Sequence, residues 1–163
     1  MPHDRQAALR KDLVEAQRAL LDLLDQVGPE DWLRPSPNEG WTVRDLLTHL
    51  TTSESGFVPT LRRMAAAEGG VPVDFDPNRW NAGQLRRRGE LPPEQLRAEL
   101  ESAHRDMLAL LDSLADTALD HRGHLSSGQE GSTADNFRLV AFHKRMHTRD
   151  IRAALRRIPA SPA

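Results

Sequence analysis

Leu9, Leu13, Ala16, Leu20, Leu23 or Leu24, and Val27 recur at alternating spacings of four and three. That rhythm tracks the turn of an α-helix and lays one apolar stripe along a single face. It returns three times. Leu46, Leu47, Leu50, Phe57 and Leu61 form a second stripe, and Leu96, Leu100, Ala103, Met107, Leu110 or Leu111, and Leu114 a third. Phe137, Val140, Ile151, Ala154 and Ile158 form the last. The spacing predicts helices over residues 4–27, 42–67, 93–118 and 133–157, with little strand signal between them. Four such stripes leave water only by facing one another, so the expected fold is all-α, a four-helix bundle. The 163 residues suffice for one domain, spanning 1–163, with a sizeable core.

The punctuation agrees with these limits. Gly28-Pro29 ends the first helix, since glycine accepts a left-handed cap and proline cannot continue a helix. Thr42-x-x-Asp45 opens the second as a capping box with aspartate in the glutamate place, and Pro59 should kink it. Gly69-Gly70 and Pro72 start a long irregular crossover in which Asn78 to Arg88 reads as a short helix. Pro92-Pro93 suits the first turn of the third helix. The segment from Asp120 to Gly131 reads as a loop, after which Ser132 or Thr133 caps the final helix, with Pro159 just past its end. The long connection between helices two and three allows the bundle to depart from simple up-down order.

Composition excludes several classes of function. The net charge is −2; the short arginine runs, such as Arg86 to Arg88, sit among as many acids and read as solvated faces. No nucleic-acid surface is expected. Cysteine is absent, which removes disulfides, thiolate ligands and a cysteine nucleophile. No apolar run approaches the roughly 18 residues of a membrane span, and the N-terminus has no apolar signal region. A cytoplasmic protein with no membrane partner is expected.

The final stripe is interrupted by chemistry. His143 and His147, four residues apart, point the same way on the helix and occupy places where leucine or valine should continue the apolar face. Buried imidazoles need partners, because an unpaired buried polar group is unfavourable by a few kcal/mol. A divalent metal would use both at once. Metal sites in bundles are built from inward side chains on facing helices, and the best third ligand on another helix is His49. Ser53 and Gly56 follow it on the same side, small residues that leave room for a ligand. The plain alternative is that a His-x-x-x-His pair is surface or core decoration.

Asp31-Trp32, then Gly40-Trp41-Thr42-Val43-Arg44-Asp45-Leu46-Leu47-Thr48-His49-Leu50, and the later His143-x-x-x-His147 followed by Asp150-Ile151 together resemble the DinB-like superfamily. The similarity is greatest to the branch of mycothiol-dependent maleylpyruvate isomerases. It implies a four-helix bundle of the DinB type that binds one divalent metal through His49, His143 and His147. It also implies thiol-dependent transferase or isomerase activity. His143 departs from the isomerase branch, where the first member of the last pair can be glutamate, and matches the general DinB pattern.

Three neutral imidazoles leave coordination positions open, the mark of a catalytic site, and imidazole suits zinc, nickel or iron. Such a metal acidifies water, activates a thiol or polarises a carbonyl. With no cysteine in the chain, any thiol must arrive on a cosubstrate: mycothiol, bacillithiol or glutathione. A small-molecule substrate is the expected partner, acted on by S-transfer, isomerisation or metal-dependent hydrolysis; a homodimer is an open alternative for assembly. The competing reading is a non-enzymatic binding or stress-response bundle with a vestigial metal site. Asp150 is placed either to hold the second nitrogen of His147 or to pair with an arginine. Glu54 is placed to orient His49 or line the pocket, but reads rather as a plain rim carboxylate, and His104, His121 and His124 read as exposed or loop residues. Trp32, Trp41 and Trp80 either wall a pocket or anchor loops onto the bundle.

Overall fold

The structure, a computed structural model, describes residues 2–156. Four long helices carry the four stripes: α1 (Pro2–Leu24), α2 (Val43–Ala65), α4 (Pro93–Ser113) and α5 (Thr133–Arg156), with a shorter α3 (Pro77–Arg88) in the crossover. The apolar positions expected on α1, α2, α4 and α5 are buried, except Val27 and Leu114, which fall just past their helices and are half-buried; Ile158 and Pro159 lie outside the described residues. Thr42 caps α2 through the expected box: its hydroxyl oxygen accepts from the Asp45 amide at 3.2 Å, and Asp45 accepts from the Thr42 amide at 2.9 Å. Ser132 and Asp135 repeat that arrangement at the start of α5. The second helix continues through Pro59.

Two helix ends and one connection differ most from expectation. The first helix ends at Leu24 and Val27 falls beyond it. The third ends at Ser113, not 118, because the chain turns extended at Leu114 and then forms a single 3₁₀ turn over Asp116–Asp120. The expected loop from Asp120 to Gly131 contains a small antiparallel hairpin, β1 (Arg122–His124) with β2 (Glu130–Ser132), Gly123 facing Gly131. These strands are three residues each, too short for alternation to show in sequence.

The core has two parts, and their membership gives the direction of each helix. One cluster joins Leu9, Leu13 and Ala16 of α1 to Phe57 and Leu61 of α2, Met107 and Leu111 of α4, and Phe137 and Val140 of α5. The other joins Leu20 and Leu23 to Leu46 and Leu50, Leu96 and Leu100, and Ile151 and Ala154. Helices α1 and α5 therefore run in one direction, α2 and α4 in the other. The main contacts are α1 with α5, α2 with α4, and α2 with α5. Neighbouring parallel helices cannot be joined by a short turn, so the chain from α2 must return along the bundle before starting α4. That is the physical reason for the long crossover. None of the described helices is long and apolar enough to cross a membrane.

Candidate functional site

Helices α2 and α5, packed antiparallel, bring His49 together with His143 and His147. The Nε2 atoms of His49 and His143 lie 2.8 Å apart, and one nitrogen from each of the three rings falls within 4.8 Å of the others. The rings are mutually steep: His147 meets His49 at 89° and His143 at 86°. A tetrahedral ion with bonds of about 2.0–2.1 Å holds its nitrogens about 3.3 Å apart, a spacing that small ring movements reach from this arrangement. Among the described residues the group contains no fourth histidine or carboxylate. The three imidazoles are a set that could hold a metal ion.

Their surroundings fix orientation and charge. Asp150, one turn beyond His147, accepts from His147 Nδ1 at 2.9 Å, which aims the Nε2 lone pair at the other rings. Asn38 donates to the same carboxylate oxygen at 3.0 Å. That asparagine carries no signal in the sequence, since its loop is positioned by tertiary packing. Ser36 and Trp41 knit the loop through Ser36 N–H to Trp41 O at 2.8 Å and Trp41 N–H to Asn38 O at 3.0 Å. Trp41 itself stands against His49, ring centroids 5.0 Å apart. The Ser53 hydroxyl approaches His49 Nδ1 at 3.4 Å. Burial first, and the neighbouring His147 second, push His49 down to about 3. Burial likewise holds His143 and His147 below the usual imidazole range, with Asp150 opposing the shift at His147. At neutral pH all three rings are uncharged, the state a metal requires.

The triad forms one end of a cavity of about 650 Å³. Ser53, Gly56 and Thr60 give it a shallow wall along α2, as the small residues beside His49 suggest. Trp80 of α3 covers that wall; a methyl group at Gly56 would rest 3.4 Å from its ring. Trp41 and Trp80 are thus pocket walls, whereas Trp32 packs onto the core cluster of Leu46 and Leu50. Asn78 and Asn81 on α3, Arg63 on α2 and Ser126 and Ser127 at the hairpin turn supply polar edges.

Two expectations need correction. Glu54 is not on a rim: it is 3% exposed and pairs with Lys144 at 2.9 Å. His104 is not exposed either. It is buried, with Nδ1 3.3 Å from Glu54 Oε1. Both stand where the stripes of α2 and α4 need an inward residue, and the sequence period gave that signal. His121 is half-buried against the Ala65 carbonyl at 2.7 Å, and His124 pairs with Glu130 at 3.6 Å on the hairpin. On α5 the fully interior position is Lys144, 1% exposed, while His143 lies at the flank.

A bundle with two parallel helix pairs, a long crossover and three clustered imidazoles beside a cavity defines a class of helical protein. The chain belongs to the DinB superfamily, whose family model matches residues 12–151. In fold it is similar to YfiT from Bacillus subtilis, a "probable metal-dependent hydrolase with an unusual four-helix bundle topology", at TM-score 0.77 and 20% identity over 93% of this chain and 86% of that one. It is similar to the mycothiol-dependent maleylpyruvate isomerase at TM-score 0.74 and 16% identity, covering 93% of this chain. The match spans 60% of the isomerase's length. The colibactin self-resistance protein ClbS, solved with double-stranded DNA, matches at TM-score 0.71 and 14% identity over 94% of this chain and 96% of ClbS. No curated protein matches the chain in sequence.

Proposed function

We propose that His49, His143 and His147 bind one divalent metal ion, zinc, nickel or iron, and that the chain is an enzyme acting on a small molecule held in the adjoining cavity. The observation that supports this best is that three neutral imidazoles meet at the wall of a cavity of about 650 Å³, with no fourth side chain among the described residues to complete a closed set. When bound, such an ion supplies Lewis-acid chemistry, polarising a carbonyl or acidifying a thiol or water. The protein's own groups do the rest. Asp150 and Asn38 hold the His147 ring, burial keeps the imidazoles unprotonated, and Trp41 and Phe57 keep bulk water off the triad. The amides of Asn78 and Asn81 offer hydrogen bonds to the polar part of a ligand.

The reading we favour is S-transfer or isomerisation with a low-molecular-weight thiol, mycothiol, bacillithiol or glutathione, in the cytoplasm. Its supports are the likeness in fold to the mycothiol-dependent isomerase and the absence of any cysteine in this chain. The likeness to YfiT supports hydrolysis as the second reading. A role for DNA has the likeness to ClbS behind it and a net charge of −2 against it. Elemental analysis of the purified protein tests the metal, with about one ion per chain expected. Cobalt substitution tests the thiol. The right thiol produces a sulfur-to-cobalt charge-transfer band, and no response to any of the three leaves hydrolysis or a non-catalytic binding role.

A further inference from the structure

The two core clusters are separated by a polar layer to which each long helix contributes one side chain. Gln17 of α1 falls between Leu13 and Leu20, Glu54 of α2 between Leu50 and Phe57, His104 of α4 between Leu100 and Met107, and Lys144 of α5 between Val140 and Ile151. All four are buried. The Lys144 ammonium is the hub: it lies 2.7 Å from Gln17 Oε1, 2.9 Å from Glu54 Oε1 and 3.4 Å from His104 Nδ1. Gln17 and Glu54 accept from the lysine ammonium, and His104 Nδ1, also 3.3 Å from Glu54 Oε1, closes the cluster against the same carboxylate.

Such a layer is hard to account for by stability. Removing two charges from water is costly, and well-packed apolar side chains of similar volume commonly stabilise as much or more. Its geometric effect is different in kind. Apolar faces tolerate sliding, whereas a buried ion pair held by short hydrogen bonds has one register. The helices linked by Glu54 and Lys144 are the two that carry the triad: Glu54 is five residues from His49, and Lys144 adjoins His143 and is three from His147.

We propose that Glu54 and Lys144 are positioning residues, a register lock that sets α2 against α5 so that His49 meets His143 and His147. This rests on the metal-binding reading above. Gln17 and His104 anchor the lock from the other two helices.

The test replaces the charges without leaving either unpaired. In the double variant Glu54→Leu with Lys144→Met, thermal unfolding should occur at the wild-type temperature or above it. Zinc affinity, measured by competition with a chromophoric chelator, should fall by about tenfold or more, and the cobalt ligand-field bands should broaden as the site loses its single geometry. Zinc affinity within twofold of wild type, with unchanged bands, overturns the lock. If the double variant does not fold, Glu54→Asp serves: it keeps the charge and withdraws it by about one carbon–carbon bond, ~1.5 Å. The same loss of affinity with an intact helical signal is expected there, and undiminished affinity overturns the lock equally. A wild-type protein that binds no zinc or cobalt refutes the metal reading itself, and the lock with it.

Discussion

At the scale of residues, the triad depends on three rings and on the one carboxylate that aims a ring. His49→Ala and His147→Ala should each lose the metal that His124→Ala retains, since His124 sits on the hairpin away from the cluster; elemental analysis of the three variants side by side checks this, and equal retention removes the ligand set. Asp150→Ala should keep the fold and weaken metal affinity by about 10–100-fold, the usual cost of losing a partner behind a ligating histidine. Acid should act through the fold more than through the site. Unfolded imidazole titrates near 6.5, while His49 in the folded chain is pushed down to about 3. Below pH 6.5 the unfolded state therefore binds protons that the folded state refuses, and stability falls with pH, for His49 by roughly 1.4 kcal/mol per unit down to its folded value. Protons compete for the folded site only towards that lower value. Metal release and loss of helical circular dichroism should coincide on acidification, and release near pH 6 with the helices intact would contradict the burial argument. Two of the residues that matter most were half legible. The helical periods of α2 and α5 pass through Glu54 and Lys144, yet Glu54 reads in sequence as a rim carboxylate and the α5 stripe reads through His143, because the pairing depends on which helix faces which, a property of the assembled bundle.

At the scale of elements, the crossover is pinned to the hairpin by two glycines in close approach. A Cβ at Gly70 would lie 2.0 Å from the His124 carbonyl oxygen, and one at Gly123 would lie 2.5 Å from the Gly70 nitrogen. The Val71 amide donates to that same carbonyl at 2.9 Å. Gly70→Ala or Gly123→Ala should push the crossover off the hairpin at a cost of about 1–3 kcal/mol, read as a lower melting temperature with altered Trp80 fluorescence; an added methyl at Gly69, which meets nothing within 4 Å, is strained only by its backbone angle. The Gly69-Gly70 pair read in sequence as the start of a loop. Its second role was invisible, because the surface it touches arrives from more than fifty residues away. The four long helices were legible almost to their ends, since each is defined by burial along its own length. The hairpin and the early end of α4 were not, being decided by what the chain packs against after Ser113.

At the scale of the whole molecule, the two apolar clusters span all four long helices, and a core of that extent does not need a metal to hold it. Stripping the metal with a chelator should leave most of the helical signal at room temperature and lower the melting point by the amount that ligand linkage supplies. Collapse of the helical signal on chelation would make the site structural. The bundle class and its long crossover follow from the stripes and the loop lengths, whereas the pairing of parallel neighbours emerges only from the shared core. The contact between His49 and His143 joins positions 94 residues apart, with α3, α4 and the hairpin all intervening. A chain growing from its N-terminus can complete α2 early and still possess a single imidazole of the set. The cluster closes only when α5 has been made and has docked, among the last long-range contacts available to this topology. On the proposed metal-binding reading, loading with an ion reports that α5 has been made and has docked: chains cut before α5 carry one histidine of the set and should compete poorly for the metal.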